Sequence, residues 1–471
     1  MLKHHEVADW LDERQERFIT ISDTIWEYAE VALAETKSCA LQADDLEADG
    51  FRITRNVGGL PTAFIAEWGD GGPVIGFLGE YDALPELSQK SQAAQEPLLP
   101  GGAGHGCGHN LLGTASLAAA SALKAWLQAT GRSATVRYYG CPAEETGAGK
   151  VFMARGGAFE GLDAALTWHP GSRTSVMFGS SLAIDHITFR FFGKTAHAAA
   201  PEMGRSALDA VELTNIGVNF LREHVIDSAR IHYVITNGGG QPNVVPAEAE
   251  VWYYVRAPRR DLLDPITERV RKIAEAAALM TETRLEVHDF YGVHNYLPNV
   301  TLGTAAIEVL EALGPIAFTA DEEAYAKQVS DAFGEPARVR ALEIAGLPKN
   351  MADRALLGEP FPPSDEGKTM SGSTDVSEAS WNAPTLQLWS TCWALGAPGH
   401  SWAITATGQM SIGHKGMLHA AKAMAITAAQ IVDDPDLLAR AKAEFAQATD
   451  GYEYRAAIPE GAEPPQPYIR S

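Results

Sequence analysis

The order of β-rich and helical segments is the feature that most constrains the fold of this chain. Residues 6–33 carry apolar side chains at steps of three to four, which predicts an opening helix. β-rich runs at 63–67 and 74–78, an alanine-rich helical segment at 112–128 and another β-rich run at 135–139 follow in turn. This alternation is typical of an α/β protein, in which ligand chemistry collects beyond the carboxyl ends of strands.

The middle of the chain has a different pattern. Between residues 183 and 295 the order is strand, helix, strand, strand, helix, strand, and α/β sequence resumes near residue 300. This order predicts an inserted α+β domain with a ferredoxin-like arrangement. We therefore expect two domains. A discontinuous α/β/α domain with a central mixed sheet is formed by residues 1–182 and 296–471, and the inserted domain is formed by residues 183–295.

The charge balance and the cysteine content limit the function classes. The chain of 471 residues has 37 Lys and Arg against 60 Asp and Glu, a formal net charge of −23. Such a charge repels nucleic-acid phosphates and anionic membrane surfaces, so we expect neither as a partner. Four scattered cysteines do not suggest a disulfide framework, and the sequence shows neither a secretory leader nor a membrane-spanning apolar run. We expect a cytoplasmic protein.

A glycine-rich segment at residues 102–110 gathers candidate metal ligands. His105, Cys107 and His109 lie within five residues, and the glycines between them allow a tight loop to present several donors to one point. Thiolate and imidazole together favour Zn²⁺ or another transition metal over Mg²⁺ or Ca²⁺. The alternative is a glycine-rich turn with incidental histidines, but the concentration of these residue types favours a metal site.

Adjacent carboxylates form a second candidate element. Glu144 and Glu145 follow the β-rich run at 135–139, and such a pair repels itself unless a cation or a shared proton relieves it. A metal ligand beside a general base is one interpretation, and an acidic helix N-terminus is the other. His169 ends a further strand and His400 occurs late in the chain. Together these elements are typical of a two-metal hydrolytic site.

Six motifs occur in an order and at separations that match a known family. They are His105-Gly-Cys107-Gly-His109, Pro142-Ala-Glu144-Glu145, Trp168-His169-Pro170, Gly193-Lys-Thr-Ala-His197-Ala-Ala-Ala-Pro201, Asn243-Val-Val-Pro246 and Pro398-Gly-His400-Ser401. The chain resembles the aminoacylase and glutamate-carboxypeptidase family of dinuclear metallohydrolases, in its amidohydrolase branch. The resemblance covers almost the whole chain.

The resemblance implies the site residues and their roles. The implied ligands of two divalent ions per subunit, Zn²⁺ or Mn²⁺, are Cys107, His109, Glu145, His169 and His400. Glu144 is the implied general base. The inserted domain corresponds to the family's lid and dimerisation domain, so His197 is expected to bind the oxyanion in the partner subunit of a homodimer. Asn243 and Arg256 are expected to bind the α-carboxylate of the substrate.

The resemblance also implies a substrate class. We expect hydrolysis of the amide bond between an aromatic acyl group and an amino acid, with p-aminobenzoyl-glutamate cleaved to p-aminobenzoate and glutamate. The alternatives are hydrolysis of indole-3-acetyl-aspartate, a dipeptidase or N-acyl amino acid deacylase activity, and a non-catalytic role beside a related second subunit. A thiol nucleophile formed by Cys107 and His109 is disfavoured, because residues two apart on one tight loop rarely reach the required geometry.

Two positions depart from the family pattern. Many members have a metal-binding His where this chain has Glu80, and many branch members have an Asp, which could orient the preceding His, where this chain has Asn110. The sequence leaves open whether Glu80, His105 or Asp375 contributes to the site. The aromatic residues that are candidates for an aryl pocket, or alternatively for the core, are Trp393, Trp402 and Tyr254.

Overall fold

The computed structural model describes residues 3–147, 149–459 and 461–464. The strands are β1 (Arg52–Arg55), β2 (Phe64–Trp68), β3 (Val74–Glu80), β4 (Thr135–Cys141), β5 (Ala164–Gly171), β6 (Ser175–Val176), β7 (Ala183–Phe192), β8 (Arg230–Asn237), β9 (Glu248–Ala257), β10 (Arg284–Val293) and β11 (Thr385–Thr391). The helices are α1 (His5–Glu13), α2 (Gln15–Tyr28), α3 (Thr36–Ala48), α4 (His109–Thr130), α5 (Gly149–Arg155), α6 (Ala207–Leu221), α7 (Arg260–Thr281), α8 (Val300–Leu313), α9 (Ala320–Asp331), α10 (Gly334–Ala345), α11 (Val376–Ser380), α12 (Trp402–Thr407), α13 (Ser411–Asp433) and α14 (Pro435–Ala448). Within these residues, no helix combines the length and the apolar character that crossing a membrane requires.

The central sheet has seven strands in the order β1-β2-β4-β3-β5-β11-β6. Strands β4, β3, β5 and β11 run parallel to one another, whereas β1, β2 and β6 join antiparallel. Successive residues of β3 point to opposite faces: Phe77 packs in the core with α4 and α13, and Leu78 packs in a separate core with α5 and α11. The predicted α/β fold with a central mixed sheet is confirmed.

Helix α4 lies close against the end of β3, and this contact depends on a glycine. A Cβ atom on Gly113 would lie 2.5 Å from the carbonyl oxygen of Glu80, so a larger residue would push the helix away. Five of the other buried residues of α4 are alanines, and their small side chains likewise permit close packing. The sequence of α4 therefore fixes the distance between its first turn and the carboxyl end of β3.

A second unit, residues 183–293, contains the other sheet. Its four strands are all antiparallel and have the order β10-β7-β9-β8. Helices α6 and α7 pack on this sheet around a separate apolar core that includes Phe189, Val251 and Val270. The order of strands and helices is the one that the sequence pattern predicts, while the domain boundaries at 183 and 295 stay a prediction.

The predicted opening helix is longer than the observed one. The helix is interrupted at Arg14, between α1 and α2, and α2 ends at Tyr28 rather than near residue 33. Ala29 has φ 44°, and Val31 pairs with Ala83 beyond the end of β3. Bonding to another part of the chain thus replaces the last helical turn that the apolar periodicity predicts.

Candidate metal centre

Three parallel strands end side by side and place the candidate residues at one edge of the central sheet. Strand β3 ends at Glu80, β5 carries His169 near its end, and a short 3₁₀ turn after β4 carries Glu144 and Glu145. His109 is the first residue of α4, and Gly108 before it has φ 81°. Only glycine adopts this conformation readily, so it permits the sharp turn between Cys107 and His109.

Two histidines present a free ring nitrogen beside the Cys107 thiol. The Nδ1 of His169 donates to the carbonyl oxygen of Pro170 at 2.7 Å, and the Nδ1 of His109 donates to Asp82 Oδ1 at 2.9 Å. Nε2 is therefore the ring nitrogen of each histidine that a metal ion could bind, and that of His169 lies 3.3 Å from Cys107 Sγ. Burial, followed by the charge of Glu145, raises the pKa of the Cys107 thiol, so a thiolate here requires a cation.

Asp82 positions two candidate ligands at once. Besides its bond to His109, its Oδ2 accepts from the backbone N–H of Glu145 at 2.9 Å. Burial alone would favour the neutral acid, but His109 beside it holds the pKa of Asp82 below its usual range. Asp82 therefore supplies the charged acceptor that orients His109. The neighbouring Asn110 donates instead to Ser22 Oγ and to the carbonyl oxygen of Gly408, both at 3.0 Å.

Glu145 and His400 form a second pair at the edge of the cleft. Glu145 Oε2 lies 3.2 Å from His400 Nε2, and the His400 side chain is 56% exposed. His400 has φ 55°, an unusual value for a residue other than glycine. Its backbone N–H donates to the carbonyl oxygen of Gly106 at 2.9 Å, which ties it to the loop that carries Cys107.

Glu144 lies in a strongly acidic environment. Its Oε2 is 3.9 Å from His109 Nε2. Burial, and then the charges of Glu80 and Asp375, raise the pKa of Glu144 well above its ordinary value. A carboxyl group with a raised pKa is suited to accept and return a proton near neutral pH.

A buried lysine that the sequence interpretation missed holds two further carboxylates. Lys150 Nζ donates to Glu80 Oε1 at 2.6 Å and to Asp375 Oδ1 at 2.5 Å, and all three side chains are buried. The other oxygen of Glu80 faces His109 Nε2 at 3.4 Å. Glu80 and Asp375, whose roles the sequence left open, thus both lie at the site. The only sequence signal for Lys150 is its place five residues after Glu145.

The donor atoms fit the requirements of bound metal ions. Three groups have ligand atoms within 4.8 Å of one another: Cys107, His109 and His169; Cys107, Glu145 and His400; and Glu80, His109 and Glu144. His109 Nε2 and Glu145 Oε1 are buried without a hydrogen-bond partner in the described structure. Buried polar atoms without partners are costly, and a cation would satisfy both. Cys107 belongs to the first two groups, so two ions bound by them would share its sulfur as a ligand.

A cleft of about 390 Å³, the first cavity, opens from these groups toward the second unit. Arg256 and His186 line it from β9 and β7, opposite Glu144 and His169. Burial lowers the pKa of Arg256, whose Nε is buried without a hydrogen-bond partner in the described chain. Burial also lowers the pKa of His186 to about 3, so this ring is neutral. Arg256 is therefore positioned to receive an anionic group in the cleft, while its role in binding the α-carboxylate of the substrate stays a prediction.

His197 and Asn243 lie together, but away from the first cavity. The backbone N–H of Ala198 donates to the carbonyl oxygen of Asn243 at 3.0 Å, and His197 pairs with Val244. Both side chains are exposed, and neither belongs to the residues that line the cavity. Within one chain, the structure does not bring these two predicted residues to the five candidate ligands.

Other residues considered from the sequence have structural contacts. His105 is fully buried, with its Nε2 donating to the carbonyl oxygen of Ile25 at 3.0 Å. Trp393 is buried in the core, and Trp402 stacks on Phe333. Of the three aromatic candidates for an aryl pocket, Tyr254 is the one that lines the first cavity.

The chain is similar to a described family of peptidases and to characterised relatives. The family model described as peptidase family M20/M25/M40 matches residues 76–462. A p-aminobenzoyl-glutamate hydrolase subunit from Escherichia coli (strain K12) is 45% identical over 470 residues, which cover 97% of this chain and 98% of that protein. The Xaa-Arg dipeptidase of Mus musculus is 36% identical over 330 residues, which cover 66% of this chain and 72% of that protein.

A solved structure shares the fold. A dinuclear metal binding peptidase of the M20 family from Bacillus subtilis has a TM-score of 0.56 and 18% sequence identity, with 90% of this chain and 99% of that chain covered. At this identity the likeness concerns the fold alone. The family match confirms the resemblance that the six ordered motifs indicate.

Proposed function

The chain belongs to peptidase family M20/M25/M40, and from this premise we propose that it is a cytoplasmic, metal-dependent amidohydrolase that cleaves p-aminobenzoyl-glutamate into p-aminobenzoate and glutamate. The observation that carries the proposal is the pair of ligand groups that share Cys107 at the ends of parallel strands. The 45% identity to the Escherichia coli hydrolase over nearly the full length of both chains supports the choice of substrate.

Two divalent ions, Zn²⁺ or Mn²⁺, fit the donor set. Cys107, His109 and His169 would hold one ion, and Cys107, Glu145 and His400 the other. When bound, such ions polarise the scissile carbonyl and make water more acidic. Thiolate and imidazole donors favour Zn²⁺, while the Glu145 carboxylate also suits Mn²⁺.

Glu144 performs the proton transfer in this proposal. It removes a proton from the attacking water as the new C–O bond forms at the amide carbon. It then delivers that proton to the amide nitrogen as the C–N bond breaks, so that the amino acid leaves as an amine. The raised pKa of Glu144 supports a group that holds the proton between these two steps.

The second unit contributes to substrate binding and to assembly. Arg256 binds the α-carboxylate of the substrate within the first cavity, a group that glutamate shares with other C-terminal amino acids. His197 and Asn243 act from the second unit of the partner subunit, on the oxyanion and the α-carboxylate. Their exposure, and their separation from the site in their own chain, support an action between subunits.

The homodimer is proposed to form through the second unit, as part of a ferredoxin-like lid and dimerisation domain of residues 183–295. Strand β8 lies at a sheet edge and exposes Tyr233, Val234 and Ile235, and α6 exposes Phe220, of which 74% is accessible. Apolar side chains along an open sheet edge are suited to pairing with a second copy. A related second subunit is a further proposed partner, because the relative from Escherichia coli is named as one subunit of its hydrolase.

The test is hydrolysis by the purified chain expressed alone. We expect release of p-aminobenzoate from p-aminobenzoyl-glutamate, loss of this activity on chelation and recovery with Zn²⁺ or Mn²⁺. N-acetyl amino acids, indole-3-acetyl-aspartate and Xaa-Arg dipeptides serve as competing substrates. Full activity in metal-free protein would refute the metal-dependent mechanism, and faster cleavage of a competing substrate would refute the substrate assignment.

A further inference from the structure

A second cavity adjoins the candidate centre, and Arg256 is not among the residues that line it. It has a volume of about 610 Å³ and lies between the segment after α2, the segment after β3 and strands β7 to β10. Glu145, Thr146 and Tyr254 line both this second cavity and the first. The two cavities therefore meet at the candidate ligand Glu145. A substrate whose scissile bond lies at this point would extend one end into each cavity.

The lining of the second cavity suits an uncharged, flat group. Its apolar members on the catalytic side are Val31, Ala32, Leu33, Ala83, Leu84 and Pro85. On the side of the second unit, Trp252 and Tyr254 meet edge to face, with ring centroids 5.1 Å apart. The charged members Arg190 and Glu250 bind each other at 2.7 Å. The first cavity, in contrast, holds Arg256 with an Nε that has no hydrogen-bond partner in the described chain.

The apolar wall is tied to the catalytic turn through one buried carboxylate. Leu33 has φ 66° and Ala143, the residue before Glu144, has φ 58°. Glu35 Oε1 accepts from the backbone N–H of both Leu33 and Ala143, each at 2.9 Å. Glu35 itself is fully buried, and its Oε2 accepts from Thr62 Oγ1 at 3.0 Å. Backbone conformations of this kind are costly and persist where the surroundings enforce them, often beside functional groups.

We propose that the second cavity is the subsite for the aromatic acyl group, and that the first cavity receives the amino acid. This inference rests on the proposed function, because it divides the substrate of that reaction between two cavities. Leu33, Leu84 and Trp252 then determine acyl specificity, and Tyr254 separates the two subsites. Glu35 is a positioning residue. It does not line the second cavity, but its hydrogen bonds fix Leu33 of the apolar wall relative to Ala143, which precedes Glu144.

The experiment measures binding of the two products separately to metal-loaded protein by calorimetry. Trp252→Ala and Leu84→Ala should each weaken binding of p-aminobenzoate by about tenfold, because aromatic contact and apolar burial are lost. Both variants should leave the affinity for glutamate within about twofold. Arg256→Met should show the reverse pattern. Leu279→Ala, at a position 81% exposed on α7, is the matched control and should change neither affinity.

Leu33→Asn keeps the subsite testable if larger truncations fail to fold. Asn tolerates positive φ, so this variant retains the backbone and removes the apolar wall. We expect weaker p-aminobenzoate binding at an unchanged melting temperature. The subsite assignment would be overturned if these variants lost affinity for both products equally. It would also be overturned if p-aminobenzoate binding were unchanged in Trp252→Ala, Leu84→Ala and Leu33→Asn. If the wild type binds both products in this pattern but does not cleave p-aminobenzoyl-glutamate, the proposed function fails and the subsite stands.

Discussion

The two halves of the proposed active site differ in how completely one chain builds them. At the ends of β3, β4 and β5, buried hydrogen bonds that Asp82 accepts and Lys150 donates orient the candidate ligands and carboxylates within a single chain. On the second unit, His197 and Asn243 are exposed, and neither is among the residues that line the first cavity beside the candidate metal centre of the same chain. The comparison indicates that the sheet half is preorganised by the fold, whereas we propose that the other half depends on assembly.

The largest expected effect concerns the proton-transfer group of the sheet half. Glu144→Gln keeps the shape of the side chain but cannot take a proton, so kcat should fall by at least about 10³-fold. Metal content, measured by mass spectrometry, should remain that of the wild type. Glu308→Gln, at an exposed position of α8, is the control and should retain full activity. Loss of metal in parallel with kcat would show that Glu144 is a ligand instead.

The proposed sharing of sites between subunits can be tested by removing activity in two different variants and recovering it when the variants are mixed. His197→Ala should lower kcat by about 10²-fold, because a donor to the oxyanion is lost. When His197→Ala and Glu144→Gln chains are mixed, half of the dimers should be hybrids with one intact site. The mixture should then recover roughly a quarter of wild-type activity, as expected for a symmetric dimer with shared sites. Mixed dimers without activity would assign His197 to its own chain or to no catalytic role.

The buried charges of the sheet half should be sensitive to loss of Lys150. Lys150→Met leaves Glu80 and Asp375 buried without their cation, which should lower the free energy of unfolding by about 3–5 kcal/mol. Adding Asp375→Asn to this variant should recover part of that loss in chemical denaturation. As a control, Lys442→Met removes a partly exposed pair with Asp163 and should change stability by about 1 kcal/mol or less. Equal effects at both positions would contradict the burial argument.

The smallest expected effect is on thermal stability at low pH, and it concerns Glu378, which binds the chain where it leaves the second unit. Glu378 accepts from the backbone N–H of His294 at 2.7 Å and lies 3.0 Å from its Nδ1, just after β10. Burial favours the neutral acid, but the His294 ring and the hydrogen bonds hold the pKa of Glu378 below its ordinary value of 4.5.

A carboxyl group with a lowered folded pKa stabilises the fold above its unfolded pKa, and that contribution is lost as the pH falls. The melting temperature should therefore decrease below about pH 4.5, and Glu378→Gln should flatten this decrease. Glu308→Gln should leave the pH profile unchanged. If the melting temperature of Glu378→Gln decreased at low pH as much as that of the wild type, other carboxylates would be the cause of the decrease.

The sequence predicts the layers of the fold and the neighbourhood of the centre, because both follow local patterns. Period-two apolar runs indicate strands, and motifs that follow strands are brought together when those strands run parallel. The structure accordingly places Cys107, Glu145 and His400 in one group. The roles of these residues stay predictions until metal binding is measured.

Partners that come from distant parts of the chain could not be read from the sequence. Lys150 meets Asp375 across more than two hundred residues, and Glu35 meets the N–H of Ala143 across more than one hundred. The sequence interpretation considered position 110 as the place for a group that orients His109, whereas Asp82 does so from the segment after β3. Periodicity likewise extended the first helix past Tyr28, because the pairing of Val31 with Ala83 has no local signal.

Metal stoichiometry of three purified proteins, the wild type and two variants, tests the central claim of a two-ion centre joined by Cys107. Wild-type protein dialysed against limiting Zn²⁺ should retain two ions per chain, His400→Ala should retain one, and Cys107→Ala should lose tight binding of both. Circular dichroism should show that all three are folded. Two tightly bound ions in folded Cys107→Ala would contradict the claim.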